Sequence, residues 1–268
     1  MRDIVENIVF YFSGTGNSFH VAKVISKELG NCEIISMAKP FNLIKQYDSI
    51  GFIYPTYYWG MPKRVIEFVE NLKLNNNRNT YYYSITTYGG LAGNAVYQMY
   101  GLLLNRHDIK LNYGGKLKMF ANYVVAYDMS VKVEKITKKS NEKLTTIINS
   151  IKKRDCNNIN KLTGIFKSMN EKFIKEVSNM DKDFNVNNNC IGCSICEIIC
   201  PVKNIEMVNS RPQYKHHCEQ CIACIQFCPQ KAINYKNLTQ NRRRYTYPEI
   251  SYKELSEYNN KMISENGT

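Results

Sequence analysis

Eight of the ten cysteines in this 268-residue chain fall between Cys190 and Cys228, in two runs of the same spacing. The first is Cys190, Cys193, Cys196 and Cys200, followed by Pro201; the second is Cys218, Cys221, Cys224 and Cys228, followed by Pro229. Both read C-x2-C-x2-C-x3-C-P. Three thiols two residues apart wrap a loop around one face of a small inorganic group. The fourth starts a helix leading away, so a pseudo-twofold pairing of the runs delivers each fourth thiol to the other group. No other feature restricts the chain's folding so strongly.

This spacing predicts two [4Fe–4S] clusters with crossed ligands. The first would use Cys190, Cys193, Cys196 and Cys228, the second Cys218, Cys221, Cys224 and Cys200. Small or apolar spacers (Gly192, Ile195, Ile222, Ala223) let backbone N–H groups approach the sulfurs and keep water away. Zinc is the alternative, but zinc sites pair C-x2-C units across longer loops, and a third cysteine at the same interval, twice, argues against it. His216 and His217 precede Cys218 but lie outside the pattern and read as surface residues. A secreted disulfide scaffold is usually shorter and follows a signal peptide. Met1–Phe12 instead carries Asp3 and Glu6 and too short an apolar run. No stretch of about 18 apolar residues suggests a membrane span. The expected setting is cytoplasmic, with cysteines kept for metal.

The first 125 residues alternate apolar runs with helical patterns. Strands are expected at Ile4–Phe12, Glu33–Ser36, Ser49–Tyr54, Thr80–Thr86 and Lys116–Val125, and helices at Phe19–Leu29, Lys63–Leu72 and Ala92–Leu104. Five strands with short helical crossovers fit an α/β, flavodoxin-like doubly wound parallel sheet better than a six-strand Rossmann sheet. Residues 130–181 are helical and Lys-rich, with a second helix at about Leu162–Val177. The expected organisation is a sheet domain over 1–158, a helical linker over 159–184, a small α+β two-cluster domain over 185–240 and a tail over 241–268. The tail is expected to pack along the surface, with Arg242–Arg244 docking a partner or covering the sheet edge.

Ser13-Gly14-Thr15-Gly16-Asn17-Ser18 joins the first strand to the first helix. Helix N-termini attract anions through free N–H groups and the helix dipole. Three hydroxyls and an amide add donors without a cation. No G-K-[ST] follows, which excludes a Walker A loop, and Phe19 stands where a dinucleotide fingerprint needs its third glycine. A plain tight turn would also account for this loop taken alone. Two further loops strengthen the ligand reading: Pro55-Thr56-Tyr57-Tyr58-Trp59-Gly60, with the only tryptophan, and Thr86-Thr87-Tyr88-Gly89-Gly90. In a doubly wound sheet the loops after strands one and three meet at the switch point, where ligands bind. An aromatic wall beside a glycine loop suits a planar ring, although Tyr57–Trp59 would also serve as a packed surface loop. His20 and His107 have no sequence partners and read as structural.

Residues 9–22 resemble the flavodoxin phosphate loop, and residues 190–229 resemble a two-cluster bacterial ferredoxin. Their order resembles flavodoxin–ferredoxin fusion proteins, over residues 1 to about 240. The resemblance implies FMN, with Ser13, Gly14, Thr15, Gly16, Asn17 and Ser18 on its phosphate. Pro55, Thr56, Tyr57, Tyr58, Trp59 and Gly60 would bind the flavin too, with Tyr57, Tyr58 or Trp59 flanking its ring and the Trp59–Gly60 peptide near flavin N5. Thr87, Tyr88, Gly89 and Gly90 would approach the pyrimidine side. Flavodoxins usually end the phosphate loop in threonine and carry an acidic surface; here Ser18 and a net charge of +13 depart from that pattern.

The expected function is electron transfer between the two clusters and FMN. The competing expectation is an FMN-dependent reductase of a small-molecule acceptor, fed by the clusters. No hydrolase constellation is present, so a catalytic residue is not assigned. The charge surplus sits in residues 130–182, with 13 Lys+Arg against 6 Asp+Glu. That segment lacks interleaved aromatics, so it reads as a solvated helix that steers acidic redox partners of the ferredoxin or flavodoxin type rather than nucleic acid. A regulatory role for the clusters has no DNA-binding helix pair to act through.

Overall fold

The computed structural model describes residues 6–129, 133–162 and 164–261. The expectations that fall on Met1–Val5, Ser130, Thr163 and the end of the tail lie outside these residues. Five strands, β1 (Asn7–Tyr11), β2 (Cys32–Ser36), β3 (Ser49–Pro55), β4 (Tyr81–Tyr88) and β5 (Tyr113–Lys118), form a parallel sheet in the order β2-β1-β3-β4-β5. This is the doubly wound flavodoxin-like order. Helices α1 (Asn17–Leu29), α2 (Lys63–Asn71) and α3 (Ala95–His107) cross between the strands, and α4 (Val133–Lys152) follows.

The central strands read as unbroken apolar runs because both sheet faces are covered. Their side chains alternate between two cores, as period two requires. Ile8, Phe10 and Phe12 join Phe52, Tyr54 and Tyr82 beneath α2 and α3. Val9 and Tyr11 join Ile53, Tyr83 and Ile85 beneath α1 and α4. Phe10 is fully buried against Phe41, Phe52 and Phe68, with centroids 5.1–5.6 Å apart.

The last strand begins earlier than the sequence suggests. Gly114 and Gly115, which lie outside the expected strand Lys116–Val125, pair with Ser84 and Ile85 of β4, and a Cβ on Gly114 would lie 2.5 Å from Val96. The strand ends at Lys118, and 119–128 is a loop. Beyond α4 come α5 (Gly164–Glu176) and a 3₁₀ turn, Val177–Asp183. The cysteine runs lie among two small antiparallel pairs. These are β6 (Phe184–Val186) with β9 (Ile233–Tyr235), and β7 (Ile205–Val208) with β8 (Arg211–Tyr214). Short helices α6 (Ile195–Ile199) and α7 (Ala223–Gln226) precede each fourth cysteine.

The tail does more than lie on the surface. Tyr245, Tyr247, Ile250 and Leu255 are buried, and α8 (Tyr252–Asn260) packs beside edge strand β2, where Asn259 Oδ1 accepts from Tyr11 Oη and Ser36 Oγ, each at 2.9 Å. Arg242 donates to the carbonyls of Val124 and Val125, and Arg244 to those of Thr239 and Ile233. Both of these arginines are therefore spent inside the molecule. No helix among the described residues is long and apolar enough to cross a membrane.

Candidate functional site

A cavity of about 350 Å³ opens at the C-terminal ends of the strands. That volume falls within the range of small-molecule sites. All of the sequence-predicted loop residues line it except Gly16 and Gly60. The walls hold no Lys, Arg, His, Asp or Glu among the described residues.

The loop 13–18 leads into the N-terminus of α1 and carries no cationic side chain. Gly16 caps α1 at φ 97°, a left-handed conformation natural to glycine, and donates its N–H to Ser13 Oγ at 3.1 Å. The first-turn N–H groups of α1 lack intrahelical acceptors. Ser18 Oγ pairs with Thr87 Oγ1 at 2.8 Å, and Asn122 Nδ2 donates to Thr15 Oγ1. Tyr57–Gly60 forms a two-residue turn. Tyr57 and Gly60 exchange N–H···O bonds at 2.9 and 3.0 Å, while Tyr58 (φ 45°) and Trp59 (φ 63°) both occupy the left-handed region. Two bulky residues there store strain, a feature that clusters at ligand sites. Both groups of the Trp59–Gly60 peptide are engaged within the protein: the Trp59 carbonyl accepts from Asn94 N–H at 2.8 Å, and Gly60 N–H donates to Tyr57.

Sequence reasoning missed the far wall. Phe120–Tyr123, inside the expected strand Lys116–Val125, and Ala126 and Tyr127, just beyond it, come from the loop after β5, Phe173 from α5, and Gln220, Cys221 and Ile222 from the second cysteine run. The topology rule, which places ligands at strand C-termini, would have found the first group had β5 been ended correctly. No sequence signal points to the others. Phe173 stacks on Tyr58 at 4.4 Å, and the Tyr123 hydroxyl donates to Gln220 Oε1. A Cβ on Gly14 would lie 2.3 Å from the Cys221 carbonyl, so only glycine lets the cysteine loop approach the 13–18 loop this closely.

The eight cysteines fall into two groups. Cys190, Cys193, Cys196 and Cys228 line one small void, and Cys200, Cys218, Cys221 and Cys224 line another, each of about 20 Å³. Among the described residues no set of three or more potential ligands converges as around a single ion. Backbone N–H groups point at the sulfurs: Asn204 to Cys200 at 3.2 Å, Gln220 to Cys218 at 3.1 Å and Ala232 to Cys228 at 3.2 Å. Burial raises the thiols of Cys196 and Cys218 to about 12 and those of Cys221 and Cys224 well above the ordinary value. Metal binding would thus release protons. Cys193 is exposed, whereas Cys200, Cys218 and Cys224 are buried. His217 Nε2 meets the Val202 carbonyl at 3.0 Å and His216 Nδ1 meets Asp181 at 2.7 Å, outside both groups.

His107 contacts the Val69 carbonyl at 2.6 Å. His20 is buried, stacked on Tyr247 with centroids 4.0 Å apart, its Nε2 2.9 Å from Tyr247 Oη. Burial outweighs the opposing pull of Glu249 and holds the His20 pKa below its ordinary value. The folded chain therefore keeps this ring neutral, while the unfolded chain takes up the proton first as pH falls through about 6.5. Its stability contribution is present above that pH and lost below it. Urea unfolding at pH 7.5 and 5.5 is expected to show a smaller pH loss for His20→Gln than for the parent; equal losses would reject this role.

A parallel 2-1-3-4-5 sheet with a glycine loop and an aromatic cavity at its switch point defines a flavodoxin-like α/β protein. Residues 8–142 match the family model described as Flavodoxin domain, half of the chain, and the protein belongs to that family. No curated protein matches it. Among solved structures, a Bacteroides uniformis protein provisionally described as a flavoprotein aligns at 19% identity and TM-score 0.35, over 42% of this chain and 90% of that one. The rubredoxin oxygen:oxidoreductase of Desulfovibrio gigas aligns at 13% and 0.38, over 56% of this chain and 36% of that one; the chain thus spans about a third of that enzyme. An FMN-dependent NADH-azoreductase of Bacillus anthracis aligns at 9% and 0.34, over 54% and 100%.

Proposed function

We propose that this chain is an iron–sulfur flavoprotein that transfers electrons between two [4Fe–4S] clusters and FMN. The observation that carries the reading is the double membership of Cys221. It stands in the group with Cys200, Cys218 and Cys224, and it also lines the cavity of the flavodoxin-like sheet. The donor chemistry fits: four thiols surround each void, and N–H groups already point at three of the sulfurs.

Cys190, Cys193, Cys196 and Cys228 would hold one cluster, and Cys200, Cys218, Cys221 and Cys224 the other. The 13–18 loop would take the FMN phosphate, with the 55–60 and 87–90 loops along the ring. When bound, the clusters supply one-electron chemistry and the flavin joins it to two-electron chemistry. The chain's own residues bind, orient and exclude water. Hydroxyls and N–H groups receive the phosphate, Tyr57, Tyr58 and Phe173 wall the cavity, and the buried second cysteine group abuts it. The exposed Cys193 leaves the first group open to a redox partner of the ferredoxin or flavodoxin type. The 159–184 segment belongs with the cavity through Phe173 and the 241–260 segment with the phosphate loop through Tyr247, so the assembly works as one unit of two modules. Cavity residues Leu91 (64% exposed) and Tyr127 (40% exposed) also give a small acceptor a way in, which favours the reductase as the second reading.

Anaerobic purification with quantification of iron, sulfide and flavin tests the proposal. The expected result is about eight irons, about eight sulfides and about one FMN per chain. Metal without sulfide would overturn the clusters, and failure to take up FMN on reconstitution would overturn the flavin site. Rapid turnover of one small acceptor by the reduced protein, with discrimination against its analogues, would favour the reductase over the carrier.

A further inference from the structure

We infer that the C-terminal segment is part of the phosphate-binding device, and that Tyr245 and Tyr247 are positioning residues for the 13–18 loop. The inference rests on reading the cavity as a site for a phosphorylated flavin. A loop without a cation binds phosphate through oriented N–H and hydroxyl donors alone. Its affinity then depends on how well those donors are fixed beforehand, because ordering them on binding costs entropy.

Three successive loop residues are fixed by the tail. Tyr247 N–H donates to the Thr15 carbonyl at 2.8 Å. A Cβ on Gly16 would lie 3.1 Å from the Cβ atoms of both Tyr247 and Ile250, so the tail fills the space behind it. Tyr245 Oη donates to Asn17 Oδ1 at 3.0 Å, while Asn17 Nδ2 donates to the Phe120 carbonyl at 3.3 Å. Both ends of that carboxamide are thereby held. The tail is itself anchored to the second cysteine run, since Tyr245 N–H donates to Gln226 Oε1 at 2.8 Å. Neither Tyr245 nor Tyr247 lines the cavity, so each acts on a ligand only through the loop.

Removing the Tyr245 hydroxyl should therefore weaken binding of the phosphate and leave binding of the ring unchanged. The test titrates flavin-free full-length protein and its Tyr245→Phe variant with FMN and with riboflavin, followed by flavin fluorescence, with circular dichroism to compare folding. The expected result is a loss of FMN affinity of about three- to tenfold, the size of one neutral hydrogen bond, with riboflavin affinity unchanged within about twofold. Equal weakening of both flavins, or no change in either, would overturn the inference. If the unaltered protein binds neither flavin, the FMN reading itself fails, a result distinct from either of these.

Discussion

On the two-cluster reading, replacing Cys224 with alanine is expected to halve the iron and sulfide of the anaerobically purified chain, from about eight of each to about four. Cys224 is buried and lines the inner void with Cys200, Cys218 and Cys221. The decisive comparison is between variants of the two runs. Cys200→Ala should lose the same half as Cys224→Ala, although Cys200 belongs to the first run. Cys228→Ala should instead behave like Cys193→Ala. Electron paramagnetic resonance of the reduced variants would show which of two signals is lost in each. If Cys200→Ala and Cys193→Ala remove the same signal, the ligands are not crossed.

The second large effect is expected at Asn170, on the segment that sequence reading treats as a linker. Its side chain is fully buried. Oδ1 accepts from Gln98 Nε2 at 2.9 Å, and Nδ2 donates to the carbonyls of Tyr57 at 3.0 Å and Met61 at 3.3 Å. Asn170→Ala would leave Gln98 Nε2 and the Met61 carbonyl without their partner in the interior and take one of two donors from the Tyr57 carbonyl, and each full loss costs about 1–3 kcal/mol. A total of about 2–4 kcal/mol is expected, since neighbours share the penalty, which lowers Tm by on the order of 10 °C. On the proposed reading FMN affinity should fall as well, because the strained Tyr58–Trp59 turn loses its tie to α5 through the Tyr57 carbonyl. Calorimetry with flavin titration checks both; a Tm within about 2 °C of the parent would refute the assignment.

Those two sites mark where the sequence was and was not legible. The cysteine spacing carries its own grouping, since thiols two and three residues apart constrain one another locally. Strands β1, β3 and β4 announce themselves as apolar runs because both faces of the sheet are covered. The 13–18 loop is equally local: glycine, hydroxyl and amide residues between a strand and a helix. Asn170 gave no such signal, because a polar residue on a Lys-rich helix looks solvated until its distant carbonyl partners are known. Gly114 and Gly115 fall outside the expected strand because nothing local shows how closely Val96 and Ile85 crowd β5. Tyr245 and Tyr247 read as surface aromatics because their partners, Asn17 and Thr15, lie some 230 positions away.

The apolar clusters do not respect the boundary between the two halves. Ile199, Ala223 and Tyr247 share a core with Val9, Tyr11 and Phe19, while Phe120 and Val124 share another with Cys196 and Cys224. A sheet domain emerging first from the ribosome would therefore leave part of its apolar surface uncovered until the cysteine runs and the tail are made. On the proposed reading, cluster insertion is then a late step in maturing the flavin site, and a cell short of iron would accumulate chains whose flavodoxin half is also incomplete. Iron supply would act as quality control on a flavoprotein.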